Sequence, residues 1–333
     1  MTEDRIVQLF KDTFPGSAVL SVTPVSGGYL HRMYRVDTQN GPFAVKRLDP
    51  NIMQRPGALD NFRRADALEE VLEDAGIPIV PAIHIGGSKL QAYDGAYFYI
   101  YRWQNGQVTD QHHISAEQCR MAGDIQGRIH AIAPARVHRT GPVSGQIDWG
   151  GYIQAAAAVN AEIGTLLQEN KALLIHAQNE MNRARAALPG IECIVDEDMD
   201  PKNVMWDEGK PVVIDLECLE RGNPVSGALQ LSLQWAGASI CDLDFTKLKA
   251  FFDGYLAAYD NGFRAYSAVF GLAYTWIEWL EYNVRRAIEP WAGEAERKLG
   301  ISEVRLTMDR IRYLYAMEDS IKQQLDLWFR PSF

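Results

Sequence analysis

The spacing of apolar residues changes once along the chain, and this change limits the folds it can adopt. Up to about residue 103, short runs alternate apolar and polar positions between turn residues, which is the period of half-buried strands. These runs are "AVLSVTPV", "LHRMYRVDT", "PFAVKRLD", "AIHIGG" and "AYFYIYRW". Beyond about residue 110 the apolar positions recur mostly at helical spacing. The pattern predicts an α+β protein with its strands at the front and its helices behind.

Helix and turn signals refine this prediction. A short helix is expected at 3–13, and "ALDNFRRADALEEVLEDAG" predicts a helix after the third strand, with a glycine at its C-terminal cap. "TQNGP" predicts a hairpin turn between the second and third strands. Farther on, Ser115 and Gln118 form a capping-box pattern, and helices are expected over 151–187 and 226–330. Between those helical regions, "ECIVDED", "NVMWD" and "PVVIDLE" are short strand-like runs.

Composition excludes several classes of protein. The 333 residues are enough for two lobes, and the net charge of −10 argues against a general nucleic-acid binder. The four cysteines contain no C-x-x-C pair, so neither a disulfide framework nor a zinc site is expected. No stretch resembles a membrane span or a secretory signal, and we expect a cytoplasmic protein. The sequence leaves its oligomeric state open.

The stretch "DEDMDPKNVMWDEGKPVVIDLE", residues 196–217, concentrates negative charge beside a possible hairpin. Two carboxylates about 4 Å apart repel by about 4 kcal/mol at an effective dielectric constant of about 20, so the cluster needs relief. One interpretation is a solvated acidic turn. The other is a cation site built from Asp198, Asn203, Asp215 and Glu217, because oxygen ligands of this kind suit Mg²⁺.

A glycine-containing turn joins the first two strands. Ser26, Gly27 and Gly28 lie in "VSGGYLHRMYRV", where glycines let the backbone approach a phosphate and aim N–H groups at it. A simple hairpin turn is the alternative interpretation. The chain has no G-x-x-x-x-G-K-[ST] motif, so this turn is not a Walker-type loop.

Lys46 lies among apolar neighbours in the third strand, "FAVKRL". If its side chain points inward it needs a carboxylate partner, because an unpaired buried ammonium is costly. The following helix offers Asp66, Glu69 and Glu70. If the side chain points outward, Lys46 is an ordinary surface residue.

Taken in order, these features resemble the aminoglycoside phosphotransferase and choline kinase group of the protein-kinase-like superfamily. That group carries H-G-D-x-x-x-x-N followed by I-D-x-E, and "DEDMDPKN" and "VVIDLE" stand in those places here. The resemblance implies a two-lobed fold. Its small lobe, residues 1–103, would hold a five-stranded antiparallel sheet with one helix and bind the nucleotide. Its large helical lobe, residues 104–333, would carry catalysis and the acceptor site.

The resemblance also implies roles in phosphoryl transfer. Asp198 would orient the acceptor hydroxyl and receive its proton. Asn203 and Asp215 would hold Mg²⁺ against the phosphates of ATP or GTP, and Glu217 would ligate a second ion. Lys46 would contact the α- and β-phosphates. Asp66, aligned through "NFRRAD", would position this lysine.

The remaining nucleotide contacts implied by the resemblance come from the glycine turn and from the end of the fifth strand. The residues concerned are Ser26, Gly27, Gly28, Tyr101, Arg102 and Trp103. Two departures from the group's pattern stand out: Asp196 replaces a histidine, and Asp66 replaces a glutamate that is one methylene longer.

The acceptor is the least determined part. Residues 107–333 hold 22 Lys and Arg against 31 Asp and Glu, an excess of acid that would attract a cationic molecule such as an aminoglycoside or amino sugar. Glu278, Trp279 and Glu281 are candidate acceptor contacts, although an amphipathic helix with ordinary charge pairs explains them too. The alternatives to a small-molecule kinase are a non-catalytic nucleotide-binding regulatory protein and a protein kinase, although the chain has no D-F-G or A-P-E motif.

Overall fold

The computed structural model describes residues 3–14, 16–25, 31–137, 145–289 and 293–329. The front of the chain contains α1 (Glu3–Thr13), β1 (Val19–Val25), β2 (Arg32–Thr38), β3 (Gly41–Arg47), α2 (Pro50–Met53), α3 (Ala58–Asp74), β4 (Gln91–Tyr93), β5 (Ala96–Arg102) and β6 (Gln107–Val108). The middle contains α4 (Ala116–His130), β7 (Ala135–Arg136), α5 (Trp149–Val159), α6 (Ala161–Glu169), α7 (Lys171–Ala187), β8 (Ile191–Asp196), β9 (Val204–Asp207), β10 (Lys210–Val213) and β11 (Leu219–Gly222). The back contains α8 (Pro224–Trp235), α9 (Phe245–Ala258), α10 (Trp276–Ile288) and α11 (Glu294–Trp328).

The chain divides into two compact units. The first unit consists of Met1–Thr109 and Lys202–Glu220, and the second of Asp110–Pro201 and Arg221–Phe333. The predicted lobes, 1–103 and 104–333, stay a prediction. The compact units differ from them chiefly because the segment Lys202–Glu220 belongs with the front of the chain.

A five-stranded antiparallel sheet dominates the first unit, in the order β1-β2-β3-β5-β4. Its turn between β2 and β3 is the one predicted from "TQNGP", with Thr38 paired to Gly41 and Gly41 at φ 103°. One face of the sheet packs on α1 through a buried cluster that comprises Ile6, Leu9, Phe10, Tyr34, Val36, Phe43, Val45, Phe98 and Ile100. Since side chains alternate along a strand, the residues between these positions face the other way, toward α3.

The fourth strand of the sheet is not the one that the sequence predicts. "AIHIGG" forms only isolated bridges, from Ala82 to Tyr101 and from Ile85 to Ser88, and the strand is Gln91–Tyr93 instead. The reason is local backbone geometry. Gly86 and Gly87 both have positive φ, 60° and 87°, so the chain turns there before it can pair at length.

A β-hairpin from the 196–217 stretch also belongs to the first unit. β9 and β10 pair antiparallel, with Asp207 opposite Lys210 at one end and Val204 opposite Val213 at the other. The turn between them contains Glu208 and Gly209, which both have positive φ. The hairpin is hydrogen-bonded to the segment that follows α3: Val80 N–H donates to Val213 O at 2.9 Å, and Val213 N–H donates to Pro78 O at 2.8 Å.

The second unit is mainly helical, as predicted. The capping box of Ser115 and Gln118 starts α4, with both reciprocal hydrogen bonds present. The helical region predicted over 151–187 is three helices, α5, α6 and α7, separated at Asn160 and Asn170. Asn160 caps α6 by accepting hydrogen bonds from Glu162 N and Ile163 N, so the polar residue ends one helix and begins the next.

Glycines let α4 and α9 pack with their backbones in close approach. A Cβ built on Gly123 would lie 2.0 Å from Phe251 O, and one built on Gly254 would lie 2.0 Å from Arg120 O. No larger residue fits at either position without separating the helices. Among the helices of the described residues, none is long and apolar enough to cross a bilayer.

Candidate active site

The open end of the β9–β10 hairpin brings two of the expected metal ligands close together. Asn203 immediately precedes β9, Asp215 follows β10 by two residues, and Ile214 N–H donates to Asn203 O at 2.9 Å. The hydrogen-bond ladder therefore continues one step beyond the strands and sets Asp215 beside Asn203. Asn203 is buried, whereas the Asp215 side chain is 34% exposed.

Lys46 faces inward and is paired with two carboxylates. Its register partners in the sheet are Met33 and Tyr99, and its side chain is 6% exposed. Lys46 Nζ donates to Asp215 Oδ1 and, at 2.5 Å, to Glu217 Oε2. The interpretation of Lys46 as an ordinary surface residue is therefore wrong.

Electrostatics keeps Lys46 charged. Burial by itself would lower the pKa of Lys46, but the charges of Asp215 and Glu217 outweigh it, so the pKa of the lysine is raised. The pKa of Glu217 is lowered: burial alone would raise it, but the charge of Lys46 and the hydrogen bond with His31 prevail. The group is therefore an ionised cluster with one ammonium between two carboxylates.

The prediction that Asp66 positions Lys46 is wrong, because the carboxylates that contact Lys46 are those of Asp215 and Glu217. Asp66 Oδ1 accepts a hydrogen bond from the Tyr99 hydroxyl at 2.8 Å, and burial raises the pKa of this carboxyl. The other two candidate acids on α3 are also engaged elsewhere: Glu69 with Lys89 at 2.7 Å, and Glu70 with His84 at 2.7 Å. Aspartate at 66 is a methylene shorter than the group's glutamate, and a tyrosine hydroxyl lies within its reach.

A left-handed residue explains how Asp215 and Glu217 reach the same ammonium. The strand-like run "PVVIDLE" predicts a strand that continues to Glu217, but β10 ends at Val213 and Asp215 has φ 64° and ψ 57°. Aspartate tolerates this conformation better than most residues. It turns the chain into the 3₁₀ helix Leu216–Cys218, so the two side chains meet at Lys46 by a turn and not by strand alternation.

His31 is the site residue that the sequence argument missed. Its Nε2 lies 2.8 Å from Glu217 Oε1, and its Nδ1 accepts a hydrogen bond from Asp49 N–H at 3.0 Å. The histidine stands in the quoted "LHRMYRV" run, but its partner is 186 residues away in sequence. Nothing in the local pattern identifies such a partner.

The nucleotide contacts expected at the end of the fifth strand lie in the first unit, at the end of β5. Tyr101 pairs with Ala44, and burial together with the nearby charges of Glu217 and Asp215 holds the pKa of its phenol well above the usual value. Arg102 lies over the ring of Phe43, at 4.6 Å, and Trp103 N–H donates to Pro42 O at 3.2 Å. The roles of these three residues toward a nucleotide stay predictions. Ser26, Gly27 and Gly28 lie outside the described residues.

The donor set at this site fits a magnesium ion. Asp215 and Glu217 already converge on one cation, the Lys46 ammonium, and carboxylate and amide oxygens are the ligands Mg²⁺ prefers. Within the described ranges no three or more His, Cys, Asp or Glu side chains are grouped to hold a metal ion. The Asp215 carboxylate and the Asn203 amide would be the protein's share, and Mg²⁺ commonly completes its shell with water and substrate phosphate.

Asp198 belongs to the second unit, in the turn that follows β8. The buried Asp196 accepts a hydrogen bond from Asp198 N–H through Oδ1 at 3.1 Å, and Trp235 Nε1–H donates to Met199 O at 2.9 Å. Both bonds fix the backbone on either side of the Asp198 side chain. Asp196 thus supplies one local hydrogen bond at the position where the group has histidine.

The three candidate acceptor residues on α10 have partners inside the second unit. Both oxygens of Glu278 accept from Arg185, at 2.6 and 2.8 Å, and Glu281 accepts from the Tyr152 hydroxyl at 2.8 Å. Trp279 is 38% exposed and stacks on a neighbouring tyrosine ring. A cationic acceptor at Glu278 would have to compete with Arg185, so the acceptor role of these residues stays a prediction.

Comparison with known proteins identifies the family. A profile described as the phosphotransferase enzyme family matches residues 21–269, which is most of the chain. The chain belongs to this family. Family membership confirms that the chain is a phosphotransferase, as predicted, and it confirms the resemblance drawn from the motifs. A search among curated protein sequences found no match.

Solved structures confirm the two-lobed protein-kinase-like fold. The phosphotransferase is similar to a spectinomycin phosphotransferase in complex with ADP and spectinomycin, with 13% sequence identity and a TM-score of 0.69. That match covers 97% of this chain and 99% of the other. It is similar to an amicoumacin kinase in complex with AMP-PNP and Ca²⁺, at 12% identity, 93% and 94% coverage and a TM-score of 0.61. A choline kinase from Cryptosporidium parvum Iowa II follows at 10% identity, 99% and 100% coverage and a TM-score of 0.59.

Proposed function

We propose that this phosphotransferase transfers the γ-phosphoryl group of ATP or GTP, with Mg²⁺, to a hydroxyl of a small cationic molecule such as an aminoglycoside or amino sugar. The observation that carries the proposal is the meeting of Lys46, Asp215 and Glu217 at the open end of the hairpin that Asn203 begins. Phosphoryl transfer depends on cations that surround the developing charge and on in-line positioning, and this group of residues suits the first requirement.

Each residue then has a chemical task. Lys46 binds oxygens of the α- and β-phosphates, and Asn203 and Asp215 hold the metal, which when bound neutralises charge on the phosphates. Asp198 accepts a hydrogen bond from the acceptor hydroxyl and takes its proton as the new O–P bond forms. The surplus of acid in residues 107–333, 31 against 22 basic residues, favours a cationic acceptor.

The test combines nucleotide binding with turnover. The nucleotide should raise the melting temperature of the wild type in the presence of Mg²⁺, and Asp215→Ala should abolish that rise. Nucleoside diphosphate release is then measured over a panel of aminoglycosides, amino sugars, choline and neutral sugars. With the best acceptor, Asp198→Asn should keep nucleotide binding and lose about 10²- to 10⁴-fold in kcat, the usual contribution of a general base.

Glu197→Gln is the matched control for Asp198→Asn, because Glu197 is an exposed carboxylate in the same turn. It should turn over as the wild type does. If Asp198→Asn is as fast as the control, the role assigned to Asp198 is wrong. If the wild type binds nucleotide but phosphorylates no acceptor, the alternative holds: a non-catalytic nucleotide-binding protein, which the departures at Asp196 and Asp66 would favour.

A further inference from the structure

The helix that was expected to position Lys46 does not do so. Its three candidate acids bind a tyrosine, a buried lysine and a histidine, and the carboxylates that contact Lys46 lie after β10 instead. An ammonium on a four-carbon stem is a mobile point charge, so its direction depends on its partners. Asp215 is the expected metal ligand. Glu217 is therefore the partner that can stay with Lys46 when nucleotide is bound.

The hydrogen bonds of His31 fix its tautomer. Nδ1 accepts a hydrogen bond from the backbone N–H of Asp49, so Nδ1 itself carries no proton, and the proton of the neutral ring is on Nε2. Nε2–H then donates to Glu217 Oε1 at 2.8 Å. The imidazole is thus attached to the backbone on one side and to a carboxylate on the other. It is 8% exposed, so water competes little for either bond.

Glu217 uses its two oxygens for different partners. Oε1 accepts from His31, and Oε2 accepts from Lys46 at 2.5 Å. The carboxylate plane is therefore set by two fixed donors, one neutral and one charged. Without His31 the carboxylate would be free to rotate about its last bond, and the direction of the Lys46 ammonium would be less defined.

We propose that His31 is a positioning residue: through Glu217 it orients Lys46 for binding to the nucleotide phosphates. Glu217 then serves Lys46 in the place expected of Asp66, and it is not primarily a ligand of a second metal ion. This inference rests on the proposed function, because it assumes that Lys46 binds phosphate.

Two substitutions separate the two hydrogen bonds of His31. Asn has an oxygen near the position of Nδ1 but is too short to donate to Glu217, so His31→Asn keeps the bond to Asp49 and loses the second one. Gln extends its amide N–H toward the position of Nε2, so His31→Gln keeps the donor. His31→Asn should weaken binding of the nucleoside triphosphate about tenfold, in line with the loss of a hydrogen bond to a charged group, and His31→Gln should recover most of it.

His84→Asn is the matched control. His84 also bonds a glutamate through Nε2, at 2.7 Å to Glu70, but both side chains are about half exposed. Its substitution should leave the dissociation constant of ATP or GTP unchanged. Melting temperatures of all variants show whether a loss of binding comes from unfolding. If His31→Asn does not fold, His31→Gln decides the question, and a tenfold loss in that variant refutes the role of the donated proton.

A double-mutant cycle tests whether His31 acts through Glu217. In a Glu217→Gln background, His31→Asn should cause no further loss of nucleotide affinity. An equal tenfold loss in both backgrounds would overturn the proposal, as would unchanged affinity of His31→Asn in the wild-type background. If the wild-type protein itself binds neither ATP nor GTP, the proposed function fails and this inference fails with it. Nucleotide binding by the wild-type protein therefore distinguishes a failure of the proposed function from a failure of the role assigned to His31.

Discussion

Replacing Gly123 with alanine sets two physical effects against each other. In an exposed helix interior, glycine to alanine stabilises a protein by about 1 kcal/mol, because alanine loses less backbone entropy on folding. Gly123 is in α4, so helix propensity alone predicts a more stable protein. The added Cβ, however, would lie 2.0 Å from the backbone oxygen of Phe251 on α9. We expect the packing effect to win.

The size of the effect follows from that distance. Cβ atoms are not found within 3.0 Å of a backbone oxygen, so α4 and α9 must separate by about 1 Å. Overpacking of this kind costs about 3 kcal/mol, and the gain in propensity offsets about 1 kcal/mol of it. Gly123→Ala should therefore lower the free energy of unfolding by about 2 kcal/mol.

Urea denaturation followed by circular dichroism measures this change. Gly150→Ala in α5 is the matched control, because its Cβ would meet nothing closer than Asp148 Oδ1 at 3.4 Å, an ordinary contact. That variant should be as stable as the wild type or slightly more so. Unfolding of Gly123→Ala at the same urea concentration as Gly150→Ala would contradict the close approach of α4 and α9.

Two further predictions concern buried titratable groups. Burial lowers the pKa of His130 to about 3. Below about pH 6.5 the unfolded chain therefore takes up a proton that the folded protein does not, and the free energy of unfolding decreases as the pH is lowered. His130→Asn should remove about 2 kcal/mol of the loss in unfolding free energy between about pH 7 and pH 5, measured by urea denaturation at each pH. Glu69→Gln should lower the free energy of unfolding by about 3 kcal/mol, because it leaves the buried ammonium of Lys89 without its close carboxylate, whereas Glu70→Gln at the surface should cost less than about 1 kcal/mol. Equal effects of the two glutamate variants in thermal or urea unfolding would contradict the assignment of Lys89 as a buried partner.

Features that depend on neighbours in sequence were predictable. The hairpin turn at Gly41, the capping box of Ser115 and Gln118, and the helix over 58–74 all follow from residues within one or two turns of each other. The spacing of Asp198, Asn203 and Asp215 was likewise visible as a motif. The family profile confirms the resemblance that this motif suggested.

The predictions that were wrong depend on contacts between distant residues or on a local detail that periodicity hides. "AIHIGG" alternates as a strand does, but two glycines with positive φ turn the chain there. Asp66 was chosen for Lys46 by alignment with a longer glutamate, and sequence could not reveal that the Tyr99 hydroxyl lies 2.8 Å from its carboxylate. His31 carried no local signal at all.

The sequence by itself determined which residue types are available for phosphoryl transfer and the order in which the chain presents them, since strand and helix periods and short motifs are local. Only the tertiary structure decided which carboxylate serves Lys46. That choice depends on which side chains meet across 169 and 171 residues of chain, and on the left-handed turn at Asp215 that directs two of them to one ammonium. A buried charge must be neutralised by whatever the fold brings within reach, and reach is a property of the folded chain.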